Sequence, residues 1–256
     1  MARIELRDRT LHDIALGQDS YILLFVLLIV DYLVLILIDS QRWGGLWHIV
    51  PLAVTVMVGL HTSGSKRHTL HVAAVLLGFA FLAALAQAVD DNRQLRATVF
   101  LVGALLLAVT AVAILGRILR HRHVSIETMF GALDVYILIG LFFSGLFIGI
   151  ALISDRYHLG SFFAQPGRHD TSDYVYFSFV VLTTVGFGDL SPLTNLARSV
   201  TVLEALTGQI FLVTLVARLV TLFGVEQPHR AGTKEEPPPA SEVTPDPLSF
   251  EDADDI

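Results

Sequence analysis

Thr183-Thr184-Val185-Gly186-Phe187-Gly188-Asp189 follows a short apolar stretch and leads through Leu190-Ser191-Pro192 into a long one. Successive backbone carbonyls point the same way only if the dihedrals alternate between right- and left-handed regions, and glycine enters the left-handed region freely. Gly186 and Gly188 supply that freedom. The carbonyls of Thr184, Val185, Gly186 and Phe187, with the Thr184 hydroxyl, then form stacked oxygens able to replace the water shell of a bare monovalent cation. One chain supplies one wall of each oxygen ring, and the signature occurs once, so closing a ring takes several copies. A Gly-x-Gly between apolar runs is by itself a common loop, and the weight rests on the whole string and its flanks.

Composition points to a membrane. Hydrophobic residues make up 54% of the chain, charged residues 16%, and mean hydropathy is +0.65, against roughly 25% charged residues in a soluble domain. Apolar runs of about 20 residues cross a hydrocarbon core of about 30 Å. Six are read: Ser20–Ile38, Leu46–Leu60, Leu70–Val89, Thr98–Leu115, Ala132–Ile153 and Leu196–Phe223. The second is short, holds Pro51, and is flanked by Trp43 and Trp47, which suit an interfacial belt. The fold class expected is an all-α membrane protein with six transmembrane helices and a re-entrant pore helix.

Basic residues orient it. With the N-terminus inside, the inner face holds eleven, namely Arg3, Arg7, Arg9, Lys66, Arg67, Arg117, Arg120, Arg122, Arg218, Arg230 and Lys234. The outer face holds six: Arg42, Arg93, Arg96, Arg156, Arg168 and Arg198. The bias places both termini in the cytoplasm of a multi-pass cell-membrane protein. The first apolar run is too long for a cleaved signal and lacks a small-residue cleavage pattern. Without cysteine there is no disulfide, thiolate metal site or cysteine nucleophile.

From Glu226 to Ile256, nine acids face two bases, a net of −7 that equals the formal charge of the whole chain. With Pro237-Pro238-Pro239 and Pro245-Asp246-Pro247, this tail has the composition of a disordered segment, or of a docking peptide for a cytoplasmic partner. The organisation expected is a peripheral four-helix bundle over 1–120, a pore domain over 121–225 and the acidic tail over 226–256.

Ser172–Thr183 reads as a short helix of about 18 Å at 1.5 Å per residue, half a bilayer. Backbone that enters a membrane and turns back is tolerated only where protein or a water cavity surrounds it. Thr171 or Ser172 is the expected N-cap, and Asp173 complements the positive end of the helix. Its partly negative C-terminal end would favour a cation.

Residues from about Phe130 to Phe223 resemble the two-helix-plus-pore-loop module of tetrameric potassium channels, particularly prokaryotic ones. The resemblance rests on Thr183 to Asp189, on Pro192, on Arg198 at the outer end of the last helix, and on Gly208 within it. It implies a homotetramer in an inner membrane, selective for potassium over sodium, with K⁺ as the permeant ion and no organic cofactor. The implied K⁺-binding positions are Thr184, Val185, Gly186, Phe187 and Gly188, supported by Thr183 and Asp189. Phe187 departs from the commoner Tyr of such filters. Its carbonyl still lines the pore, but a hydroxyl hydrogen bond that steadies the filter is lost.

Gly208 is a candidate gating hinge, or a small residue that permits close packing. Glu204, one turn earlier, costs at least a few kcal/mol in a membrane helix unless paired or wet. A bond to the pore helix, cation attraction in the cavity and proton sensing are its three readings, with Gln209 as one partner. Asp31 either hydrogen-bonds within the bundle or titrates as a switch. His61, His68 and His71 show no known ligand spacing. His121–Met129 reads as an interfacial linker, coupling or inert. A voltage sensor needs basic residues through its fourth helix, and Thr98–Leu115 has none.

Other classes fit less well. A four-loop potassium-uptake subunit would carry four diverged loops in one chain, and Asp31, Asp134 and Glu204 show no catalytic spacing. No enzymatic activity and no nucleic-acid partner are expected, only membrane lipids and further copies of the chain. A sodium-permeable or non-selective cation channel is the alternative.

Overall fold

The computed structural model describes residues 21–37, 44–65, 67–89, 92–120 and 126–223. Seven helices run through them: α1 (Tyr21–Leu37), α2 (Gly44–Thr62), α3 (Arg67–Val89), α4 (Arg93–Arg120), α5 (Ile126–Arg156), α6 (Thr171–Leu182) and α7 (Asn195–Phe223). The chain divides into the compact units Met1–Leu222 and Phe223–Ile256. The acidic tail, both chain ends, Trp43 and most of the 121–129 linker lie outside the described residues.

Several helices run past the apolar runs that predict them. α4 begins five residues before Thr98 and ends five after Leu115, because a hydrogen-bonded ladder begun in apolar sequence continues into polar flanks at little cost. Among the described residues, four segments are long and apolar enough to cross a membrane, Arg67–Gln87, Arg93–Leu119, Thr128–Arg156 and Asn195–Arg218. Tyr21–Leu37 and His48–Thr62 are shorter apolar helices. Pro51 is accommodated inside α2.

α5 is the hub. It packs along α4, against α1 and against α6, while α1 also touches α6. The α4–α5 contact is close because Gly145 and Gly149, four apart on one face of α5, leave room for α4. A Cβ on Gly145 would meet Ala104 Cβ and the Phe100 carbonyl at 3.2 Å, and one on Gly149 would strike Leu101 at 2.4 Å. Small residues spaced this way let helix backbones approach in a membrane. Gly140, further back along α5, faces the Phe179 ring of α6, where a Cβ would fall 2.8 Å from Cζ. At the other end of the bundle, Arg117 donates to the Thr62 carbonyl, and Arg218 Nη2 reaches the Ile118 carbonyl at 2.7 Å.

Candidate functional site

α6 starts one residue earlier than expected. Asp170, in extended backbone (φ −92°, ψ 170°), is the N-cap, and Thr171 is already helical. The reason lies three residues on: Asp173 Oδ2 accepts from the Asp170 backbone N–H at 3.2 Å, closing the first turn around Asp170 rather than Thr171 or Ser172. At 12 residues and 1.5 Å each, α6 is about 18 Å long and cannot span a bilayer.

Helical bonding dies away over the next turn. Thr183 N–H bonds the Phe179 carbonyl at 3.0 Å, Thr184 N–H the Val181 carbonyl at 3.0 Å, and Val185 N–H the Val180 carbonyl at 3.0 Å. From Thr184 the backbone alternates. Thr184, Gly186 and Gly188 have φ of 60°, 59° and 80°, while Val185 and Phe187 between them stay out of the positive region. A β-branched residue at positive φ is an outlier with a strain of order 1–3 kcal/mol. Thr184 is therefore a third left-handed position that glycine counting overlooks.

Three groups behind this segment hold it. Tyr176, on α6, donates its hydroxyl to Asp189 Oδ2 at 2.8 Å, and its ring lies parallel to that of Phe187, centroids 6.4 Å apart. Tyr136, on α5, donates to the Leu182 carbonyl at 3.0 Å, fixing the end of α6. Beyond Asp189 the chain pairs with the 162–165 loop: Ala164 N–H bonds the Ser191 carbonyl and Leu193 N–H the Phe162 carbonyl, each at 2.8 Å. Gln165 Oε1 accepts from Ser191 N–H at 3.0 Å. Phe162 and Phe163 anchor that loop against Phe147, Tyr174 and Phe177.

Glu204 sits on the other side of α6. It is fully buried, and its Oε1 lies 2.5 Å from the hydroxyl of Ser178, which also reaches the Gly140 carbonyl at 2.8 Å. Oε2 has no partner. Gln209 is exposed and makes no hydrogen bond to Glu204. Gly208 packs where α7 crosses the end of α6: an added Cβ would come 3.2 Å from the Leu182 carbonyl and 2.7 Å from its Cδ1. Thus Thr183–Asp189, Glu204 and Gly208 surround one short helix.

Asp31 stands apart in the bundle. It is buried on α1 toward Thr55, yet neither its carboxylate nor the Thr55 hydroxyl completes a hydrogen bond. It shares a cavity with His48, whose ring stacks on Phe100 at 5.5 Å. Asp134 is likewise buried without a partner for its carboxylate. Among the described residues no three His, Cys, Asp or Glu are placed to hold a metal, and His71 Nδ1 lies 2.6 Å from the Arg67 carbonyl.

Tyr176, Ser178, Tyr136 and Gln165 are absent from the sequence reading. Asp189 itself was the available signal for Tyr176: a carboxylate in apolar surroundings calls for a donor, and α6 carries tyrosines. Removing the Tyr176 hydroxyl while keeping the ring, as in Tyr176→Phe, is expected to leave assembly unchanged. Ion flux through the reconstituted protein should then decay severalfold faster than the parent's. Equal decay for both proteins would mean that the contact steadies nothing.

Residues 137–224 match the family model Ion_trans_2, described as an ion channel. The matched stretch takes in most of α5, all of α6, the 183–189 segment and α7, and it supports an ion channel. No curated protein and no solved structure matched the chain.

Proposed function

We propose that the chain assembles as a homotetramer around the 183–189 segment and conducts potassium passively, selecting it over sodium. The observation that carries this reading is the sign alternation of φ at Thr184, Gly186 and Gly188. That alternation turns successive carbonyls to one side, and a ring of such carbonyls from symmetric copies replaces the hydration shell of K⁺. Phe187 and Val185 are 69% and 54% exposed in the single chain. Irregular backbone with apolar side chains is stable at membrane depth only when protein or a water-filled path covers it, which further copies supply. α7 is also mostly uncovered by its own chain, with 11% of its apolar window buried, consistent with an inner helix that faces a central axis and neighbouring subunits.

In this reading six helices cross the membrane, both termini are cytoplasmic, and the 183–189 segment opens outward. Within α4, no Lys or Arg lies between Arg96 and Arg117, so the field has little charge to move. Conduction without steep voltage dependence is expected.

The test is flux and reversal potential from purified protein in liposomes with potassium and sodium on opposite sides. Reversal near the potassium equilibrium potential is expected. Reversal near zero would instead favour a sodium-permeable, non-selective pore.

A further inference from the structure

α1 turns Tyr21, Leu24, Leu28, Asp31 and Leu35 inward. Steps of three and four residues put all five on one stripe, so the single charged residue of the helix interrupts a leucine seam instead of facing outward. α2 meets it with polar groups of its own. His48, Leu52 and Thr55 follow at i, i+4 and i+7, again one face.

Asp31, His48 and Thr55 are 2%, 8% and 0% exposed. Both Asp31 oxygens, His48 Nδ1 and Thr55 Oγ1 lack a hydrogen-bond partner, although Thr55 is the side chain nearest to answering Asp31. Buried polar atoms without a partner are costly and uncommon, and here four of them belong to one contact between two helices. The His48 ring is held in place, stacked on Phe100 and lying over Gly103, where an added Cβ would come 3.9 Å from Nε2.

Asp31 and His48 line a common cavity of about 10 Å³, the size at which one water molecule fits. Its remaining walls include Leu35, Leu52, Phe100, Leu107, Leu141 and Ile148, which offer no further side-chain ligand to a metal ion. None of the charged or titratable groups next along the packed helices lines it: Tyr32 on α1, His61 on α2, Arg96 on α4, or Asp134, Tyr136 and Asp155 on α5. α3 has none after His71 and α6 none after Tyr176. One acid and one base therefore face each other across a space for one water.

We propose that Asp31, Thr55 and His48 hold a water molecule between α1 and α2 and share a single proton through it. Water has two donors and two acceptors, and three side chains supply the two to four partners a buried water needs. A proton passing from the Asp31 carboxyl to the water is matched by one passing from the water to His48 Nδ1. The net charge of the site stays zero in both arrangements, which suits an acid and a base set in apolar surroundings. The site joins α1 to α2 on the face closed by Leu141, Gly145 and Ile148 of α5. It stands on packing within one chain and rests on neither the tetramer nor the ion selectivity.

Water-edited solid-state NMR on the full chain in liposomes reads the site directly. Labelled histidine and isoleucine assign it, since His48-Ile49 is the one His-Ile pair in the sequence. Magnetisation from water should reach the His48 ring severalfold faster than the side chain of Ile49, which is also buried. Asp31→Leu continues the seam of Leu24, Leu28 and Leu35, so the variant should fold, and the fast transfer to His48 should be lost. Asp31→Asn keeps a hydrogen-bonding side chain but has no carboxyl proton to share, so the ring-nitrogen shifts of His48 should move while the water remains. A dry His48 in the parent, or transfer undiminished in Asp31→Leu, would overturn the water site. Ring nitrogens unmoved by Asp31→Asn would overturn the shared proton. The parent measurement needs no variant, and because no flux is measured, a protein that fails to select potassium leaves these results interpretable.

Discussion

Liposomes bearing Gly186→Ala are expected to lose potassium flux by about a thousandfold or more, while the protein still assembles. Gly186 sits at φ 59° with nothing within 4 Å of where a Cβ would stand. The penalty is therefore conformational rather than a clash within the chain. Left-handed backbone costs an L-residue other than glycine about 1–2 kcal/mol. Four subunits share each proposed ring, giving about 4–8 kcal/mol against the conducting arrangement, and each 1.4 kcal/mol is about tenfold. The easiest relief is a flip of the 186 peptide, which takes its carbonyl off the axis. Gly160→Ala is the control, since Gly160 also has positive φ, 101°, but lies in the loop between α5 and α6 with only Thr194 Cγ2 at 3.4 Å. It should retain parental flux. If Gly186→Ala conducted and discriminated against sodium as the parent does, the carbonyls of this segment would not be the ion's ligands.

The contrast between those glycines shows what sequence makes legible. A left-handed residue is a backbone property, and Gly-x-Gly in a string of Thr, Val and Phe announces it without knowledge of the rest of the chain. Thr184 carries the same sign of φ but announces nothing, because its conformation is imposed by the dying turn of α6 behind it. The apolar runs give the helices well, since length and hydropathy are local sums. Their ends are less legible: Arg93 and Arg96 read as loop charges and prove to be the first turn of α4. Long-range contacts are the least legible. Tyr176 meets Asp189 across 13 residues, Ser178 meets Glu204 across 26 and Tyr136 meets Leu182 across 46. Each pairing depends on the angle between helices, which spacing does not encode. Gly145 and Gly149 are the exception, since a small-x-x-x-small pattern is visible in the chain and marks the face α4 uses.

Glu204 is where substitution separates the remaining readings of the inner helix. One hydroxyl has one proton, and Ser178 faces two acceptors, the Gly140 carbonyl at 2.8 Å and Glu204 Oε1 at 2.5 Å. The cluster joining α5, α6 and α7 is complete only when residue 204 brings a proton of its own. Glu204→Gln carries such a donor in a side chain of the same length, so it should melt close to the parent and keep flux within about threefold, the scale of a single neutral hydrogen bond. Glu204→Ala removes the tie and leaves a hole among fully buried neighbours, a loss of about 2–5 kcal/mol. The melting temperature should drop, and α7 should lose its register on α6 at Gly208, where the Leu182 carbonyl is already in close contact. Cation attraction by a charged Glu204 makes the opposite forecast for Gln. Potassium conductance would then fall as steeply in Glu204→Gln as in Glu204→Ala, although Glu204→Gln still melts close to the parent. Measuring melting and single-channel conductance on both variants therefore decides whether this carboxyl braces α6 from behind or draws ions toward the pore.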